Sequence, residues 1–330
     1  MGRLLRDTAY FRYTFRFLVS TVLFLFPLVG STGWSATAQP QVSWGGKVQS
    51  SFQKSMDEMH AYLIKMEKSP SHPEIFQVIW LLGAITDPST SRIILNREVK
   101  TIQKRTPLQR AWWILARWET FVMEGDKTFL ADYMGQMDSI LDQFDKKNPL
   151  KQLKKDPFSM ELVLVMAQAW RVTGNAHGVL RNRGRSLFCE NRFQQYRQIL
   201  RRRLQEKMGK EDISLIEKAK LWKILPGEPV SYRTAMGKLL KLPCIETAVV
   251  VLRDQVGIRG YPFELGFEPN YPCRLPKRFL LENFSYRQGI LQIAIKGCGL
   301  QLQSLQVNGK KQDRIFGDIK GDQDVVLRVH

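Results

Sequence analysis

Near Gly257 the spacing of apolar residues changes from a period of three to four to a period of two, and this limits the chain to folds joining a helical body to a sheet. Leu291, Ile293 and Ile295 alternate with Gln292, Ala294 and Lys296, as in a strand with one face on a core, and Gly297 and Gly299 break the run. In LQLQSLQVNG the apolar phase slips at Gln303 and Ser304, which predicts a bulge or a corner. Asn308-Gly309 carries the two positive-φ residues of a primed hairpin turn, and Val325, Leu327 and Val329 supply a closing strand. The expected fold is α+β, with helical hairpins over 39–254 and a small antiparallel β-sandwich over 255–330.

The helical part has readable ends. Thr106 is placed to cap and Pro107 to open a helix whose face carries Leu108, Ala111, Trp112, Leu115 and Val122, with Gly125 as its stop. Asp126 caps the next helix, where apolar residues recur from Phe129 to Phe144, so the two form an antiparallel hairpin. Asp156-Pro157 begins another helix and Gly174 is its expected end; Asp212, Pro229 and Pro243 punctuate the remaining helical stretch. Further helices are expected near 42–68, 73–84 and 90–104.

At the other end, Arg3, Arg6, Arg12 and Arg16 precede an uncharged run from Phe17 to Gly30, and Ala36-Thr37-Ala38 offers a small-x-small cleavage site. This is the layout of a signal peptide over 1–38, too short in its apolar core for the roughly 20 residues of a spanning helix. The expectation is export to the periplasm, the cell envelope or the medium; an uncleaved signal anchor is the alternative. Export puts Cys189, Cys244, Cys273 and Cys298 in an oxidising setting, where four cysteines permit three pairings that sequence does not rank, and four buried thiols fit equally well.

Lysine and arginine number 50 against 31 acidic residues. The excess concentrates in 181–210, where ten basic residues face only Glu190 and Glu206. Such a helix fits a polyanion, whether anionic polymer or membrane surface, through Arg201, Arg202 and Arg203; nucleic acid is the least expected partner outside a cell. It also fits a solvated helical face with Phe188, Phe193, Tyr196, Leu200 and Leu204 turned inward.

Two segments resemble a known family. WWILARWETFVMEGDKTFLADYMGQMDSILDQF, residues 112 to 144, and VGIRGYPFELGFEPNYP followed by LENFSYRQGILQIAIKG and LQVNGKK are similar to the carboxy-terminal part of six-hairpin glycosidases. That superfamily is built on an (α/α)6 toroid and includes glucoamylases, glycogen-debranching glucosidases and disaccharide phosphorylases. About eight or nine helices are counted between Val42 and Asp254, so the resemblance implies a partial or compressed toroid.

The resemblance also implies two carboxylates, a general acid and a base that activates water. Glu228, in Leu-Pro-Gly-Glu-Pro, resembles the loop that carries the base in glucoamylases, and Glu119 is the second candidate. The downstream tryptophan-serine signature and a family acid motif are absent, which favours a non-hydrolytic descendant. Trp112, Trp113 and Trp118 are candidate sugar platforms, with core filling as the other reading of the same spacing. The four scattered histidines form no metal-ligand pattern, and no phosphate loop, dinucleotide fingerprint or nucleophile elbow is present, so neither metal nor cofactor is expected. The combined expectation is an exported glycosidase-like protein that binds or processes an envelope glycan; the alternative is a non-enzymatic envelope protein docking through 181–210.

Overall fold

The computed structural model describes residues 39–43, 46–68, 72, 74–147, 160–209, 213–228, 230–236, 245–275 and 278–330. All belong to one compact unit. The expected signal peptide, the Asp156-Pro157 helix start, Asp212, Pro229, Pro243 and Cys244 lie outside them. Among the described residues no helix is long and apolar enough to cross a membrane.

The fold is α+β. Strand β1 (Gln41–Ser43) precedes α1 (Gly46–Lys68). Then α2 (Ile75–Val78), a π-helical turn (Ile79–Gly83) and α3 (Ala84–Thr86) run as one continuous rod, with α4 (Pro88–Glu98) after it. Helix α5 (Pro107–Glu124) has the expected Thr106 cap, a full capping box with Gln109, proline at its start and Gly125 in the left-handed conformation at its end. From Ala111 to Met123 every residue of α5 is buried. A helix hidden on all sides belongs in the middle of a body, and α2, α4, α7 (Met134–Lys146) and α8 (Met160–Val179) all pack against it.

Asp126 caps the next helix as expected, accepting from the Thr128 backbone N–H at 2.9 Å. That helix is broken at Asp132–Tyr133 into α6 (Lys127–Ala131) and α7. The basic segment forms α9 (Arg183–Glu206), antiparallel to α8. The expected stop at Gly174 is corrected: α8 continues to Val179, and Gly174 marks the close approach of the two helices, where an added Cβ would lie 3.1 Å from Cys189 Cβ and 3.3 Å from the Ser186 carbonyl oxygen. Next come α10 (Ile213–Leu221), α11 (Tyr232–Met236), α12 (Glu246–Val249) and a π-helical segment (Val250–Gln255).

The remaining strands are β2 (Ile258–Gly260), β3 (Glu264–Phe267), β4 (Arg278–Tyr286), β5 (Gln288–Gly297), β6 (Leu302–Val307), β7 (Lys310–Gln312), β8 (Ile315–Phe316) and β9 (Lys320–Val329). They form a six-stranded sheet in the order β1-β4-β5-β9-β6-β7 and a three-stranded one, β2-β3-β8. Leu291, Ile293 and Ile295 are fully buried, Asn308 and Gly309 make the positive-φ turn, and β6 shifts register against β9 between Leu302 and Ser304, as expected. Antiparallel pairing throughout is corrected. Strand β9 runs parallel to β5, from Gln288↔Lys320 to Gly297↔Val329, because the connection carries the β6–β7 hairpin and returns on the same heading. The border drawn at 254–255 is crossed by β1, whose Val42 pairs with Leu281 of β4.

Arg287, at the β4–β5 turn, fastens this sheet to the helices. Its backbone N–H donates to the Met123 carbonyl at 2.8 Å and its Nε to the Val122 carbonyl at 3.2 Å, placing a cation at the negative end of α5. Its Nη2 donates to the Pro262 carbonyl at 2.8 Å, in a segment that walls a cleft between helices and strands.

Candidate functional site: an aromatic and cationic cleft

Helix α5 brings Leu115, Trp118 and Glu119 to this cleft, where α8 supplies Gln168, Arg171, Val172 and Asn175. Positions 168, 171 and 175 share a helix face, which is why three polar side chains of a largely buried helix emerge together. Trp80, Trp222, Tyr232 and Tyr261 add aromatic surface, and Arg253, Arg259, Lys223 and Glu268 add charge. A second cavity adjoins through Leu221, Lys223, Arg259 and Glu268 and is lined further by Glu228, Asp254 and Leu302. The two enclose about 170 and about 360 Å3, together within the roughly 300–1,000 Å3 of small-molecule sites.

The floor is a cluster of rings. Trp80 lies 5.2 Å from Trp112, 6.0 Å from Trp222 and 5.9 Å from Tyr232, measured between centroids. Arg253 is held among them. It is buried, donating from Nε to the Leu81 carbonyl at 2.8 Å and from Nη2 to the Trp80 carbonyl at 2.7 Å. Its Nη2 also sits 2.8 Å from Glu119 Oε1, an ion-pair contact whose angle falls outside hydrogen-bond geometry. Glu119 Oε1 is therefore charge-compensated yet accepts no hydrogen bond within the described protein, and the cleft beside it is where a donor would fit. The approach is tight: a Cβ on Gly260 would fall 3.5 Å from this oxygen and 2.6 Å from Val122 Cγ1.

Arg259 crosses the Tyr232 ring at 4.6 Å and donates from Nη1 to the Arg253 carbonyl at 2.8 Å and from Nε to Glu268 at 3.2 Å. Lys223 meets the other Glu268 oxygen at 2.9 Å. Burial works to raise Glu268, but Lys223 and Arg259 outweigh it and hold the carboxyl below its usual range. Asp254 goes the other way, raised by burial although its Oδ1 accepts from the Tyr232 backbone N–H at 2.5 Å. That oxygen caps α11. The bend that delivers Glu268 depends on Gly257, with φ of +71°: its carbonyl accepts from the Glu268 N–H at 2.8 Å, and a Cβ there would lie 2.1 Å from the Glu268 carbonyl oxygen.

Of the residues singled out from sequence, Trp118 and Glu119 share the cleft, and Glu228 is exposed on the adjoining cavity. Trp112 lies behind the floor, against Trp80 and Trp222. Trp113 is fully buried elsewhere: its Nε1 donates to the Leu95 carbonyl, and its ring faces Arg117, which is stacked also on Phe129 and Tyr133. Desolvation lowers Arg117 to about 9. On α9, the acids of α7 take up part of the basic charge: Arg185 pairs with Asp138 and Asp142, and Arg192 with Asp145. Arg203 pairs with Glu206, whereas Arg201 and Arg202 are exposed with no ion-pair partner among the described residues. Phe188, expected inside, is 39% exposed and packs edge-on against Trp170.

Sequence reasoning missed Arg171, Arg253, Arg259 and Glu268. A signal existed for Arg253 and Asp254, a charged pair inside the apolar run AVVVLRDQVGI, since charges in such runs are retained only when partnered. Scattered spacing also concealed one juxtaposition: Asp138, His177 and Cys189 converge within 4.8 Å. Arg185 already occupies Asp138 at 3.0 Å, so Asp138, His177 and Arg185 form a hydrogen-bonded network between α7, α8 and α9, and burial pushes the neighbouring Cys189 thiol up to about 12.

No protein-family model matches the chain, and comparison with curated proteins finds no relative.

Proposed function

We propose that the protein binds a glycan in the cleft between Trp118 and Tyr261, in the cell envelope or outside the cell. The observation that carries this reading is the pairing of flat aromatic surface with buried Glu119, whose Oε1 lacks a hydrogen-bond donor. Aromatic rings stack on the apolar faces of pyranoses, and a buried acceptor selects a ligand hydroxyl because leaving it empty costs about 1–3 kcal/mol. A Cys273–Cys298 disulfide supports an oxidising compartment. Binding is favoured over hydrolysis. A general acid must keep its proton, and Asp254, the carboxyl of the adjoining cavity that burial pushes upward, has its Oδ1 committed to the α11 backbone.

A second reading, docking on anionic polymer or membrane through α9, is favoured by exposed Arg201 and Arg202. One experiment separates the two. The protein is screened on a glycan array and for sugar release, beside Tyr261→Ala and a triple variant neutralising Arg201, Arg202 and Arg203. Array binding that falls about tenfold in Tyr261→Ala and persists in the triple variant is expected. The reverse pattern selects the docking reading, and binding to no glycan removes the first.

A further inference from the structure

We infer that the bound sugar carries an oxyanion substituent, a ring carboxylate or a sulfate, and that Arg171 is the residue that reads it; this rests on the glycan reading of the cleft. Four cations, Arg171, Lys223, Arg253 and Arg259, line the aromatic cavity against two carboxylates, Glu119 and Glu268. Their pairings differ. Arg253 is fixed by three backbone carbonyls, those of Leu81, Ile258 and Trp80, and by Glu119, and Arg259 and Lys223 share Glu268. Arg171 has no carboxylate within ion-pair distance among the described residues; its guanidinium rests 5.6 Å from the Phe193 ring. It is half-buried, so water screens it only in part.

A neutral ligand would leave this charge uncompensated in a cleft from which the ligand excludes water. An oxyanion would satisfy it, and the planar fork of arginine matches a carboxylate or sulfate with two parallel hydrogen bonds. Asn175 and Gln168 stand on the same face of α8, where hydroxyls flanking the anionic group would reach them. Glu119 opposes any anion placed beside it. The geometry thus gives the ligand polarity, hydroxyl toward Glu119 and anionic group toward Arg171.

The test is calorimetric titration of the protein with three probes: a set of oligouronates, the same oligomers with their carboxyls reduced to alcohols, and the reduced oligomers after sulfation. At least one anionic set is expected to bind about tenfold more tightly than its neutral counterpart, and the anionic set that does so identifies the substituent. Arg171→Gln should abolish that preference. Arg97→Gln, which removes the same charge from the exposed face of α4, should retain it. Equal affinity for neutral and anionic oligomers, or a preference that survives Arg171→Gln, overturns the inference while leaving the glycan reading in place. Failure of all three probes to bind overturns the inference, and the glycan array decides the glycan reading separately.

Discussion

Glu124 ends α5, where the helix dipole already disfavours a negative charge. Burial is the largest influence on its carboxyl; Arg92, 3.3 Å away, opposes it, Asp126 and Asp87 reinforce it, and the result is a value raised to about 7. The folded protein holds this proton more tightly than the unfolded chain, whose glutamate titrates near 4.5, so stability falls as pH rises from about 4.5 to about 7 and is level beyond. The span corresponds to about 3 kcal/mol. Glu124→Gln keeps the shape and removes the charge, and Arg92 retains Asp126 at 2.7 Å. The variant is expected to gain up to about 3 kcal/mol over the parent at pH 8 and almost nothing at pH 4, read from urea unfolding at both values. An equal gain at both would show that Glu124 titrates normally.

Among the elements, α8 and α9 pack closely at Gly174, where an added Cβ would lie 3.1 Å from Cys189 Cβ. Gly174→Val puts branched methyls into the space held by Cys189 Cβ and the Ser186 carbonyl. We expect a loss of about 2 kcal/mol, measured as a lower denaturation midpoint with an unchanged slope, although glycine is itself a poor helix former. A neutral or stabilising result would mean that the two helices separate freely. This glycine also shows where sequence reading reaches its limit. Capping chemistry is local, so Thr106, Gly125, Asp126 and the Asn308-Gly309 turn were legible. A mid-helix glycine and a terminal one have the same signature, and only the neighbouring helix distinguishes them. The break at Asp132–Tyr133 was hidden for a related reason: the apolar period continues through it and no glycine or proline marks it. Strand direction is silent as well, since a period of two is the same for parallel and antiparallel neighbours.

At the scale of the whole molecule, the site was less legible than the fold because it is assembled from distant stretches: Trp80, α5, α8, Trp222 and the segment from Arg253 to Glu268. Each contributes one or a few side chains, and no local spacing reports that they meet. The cysteine pairing was illegible on the same ground. Cys273–Cys298 closes a separation of 25 residues that includes β4 and β5, and the entropy of a loop that size corresponds to about 3.5 kcal/mol. Cys273→Ala/Cys298→Ala should lose roughly that much in urea unfolding, and the parent should lose the same when reduced. Insensitivity to reductant would show that the bond is not formed in the protein.

The place of β9 has a consequence for how the chain is made. It comes after every other described strand in the sequence, yet it lies inside the sheet, parallel to β5 on one side and antiparallel to β6 on the other. Until residues 320–329 have left the ribosome, β5 and β6 each present an unpaired edge, the kind of surface that recruits other chains. The helical body can collapse early around α5, but the sheet cannot close behind it. A newborn chain therefore stays adhesive and unlocked until residues 320–329 are free to pair, which puts it at risk whenever synthesis stalls short of β9.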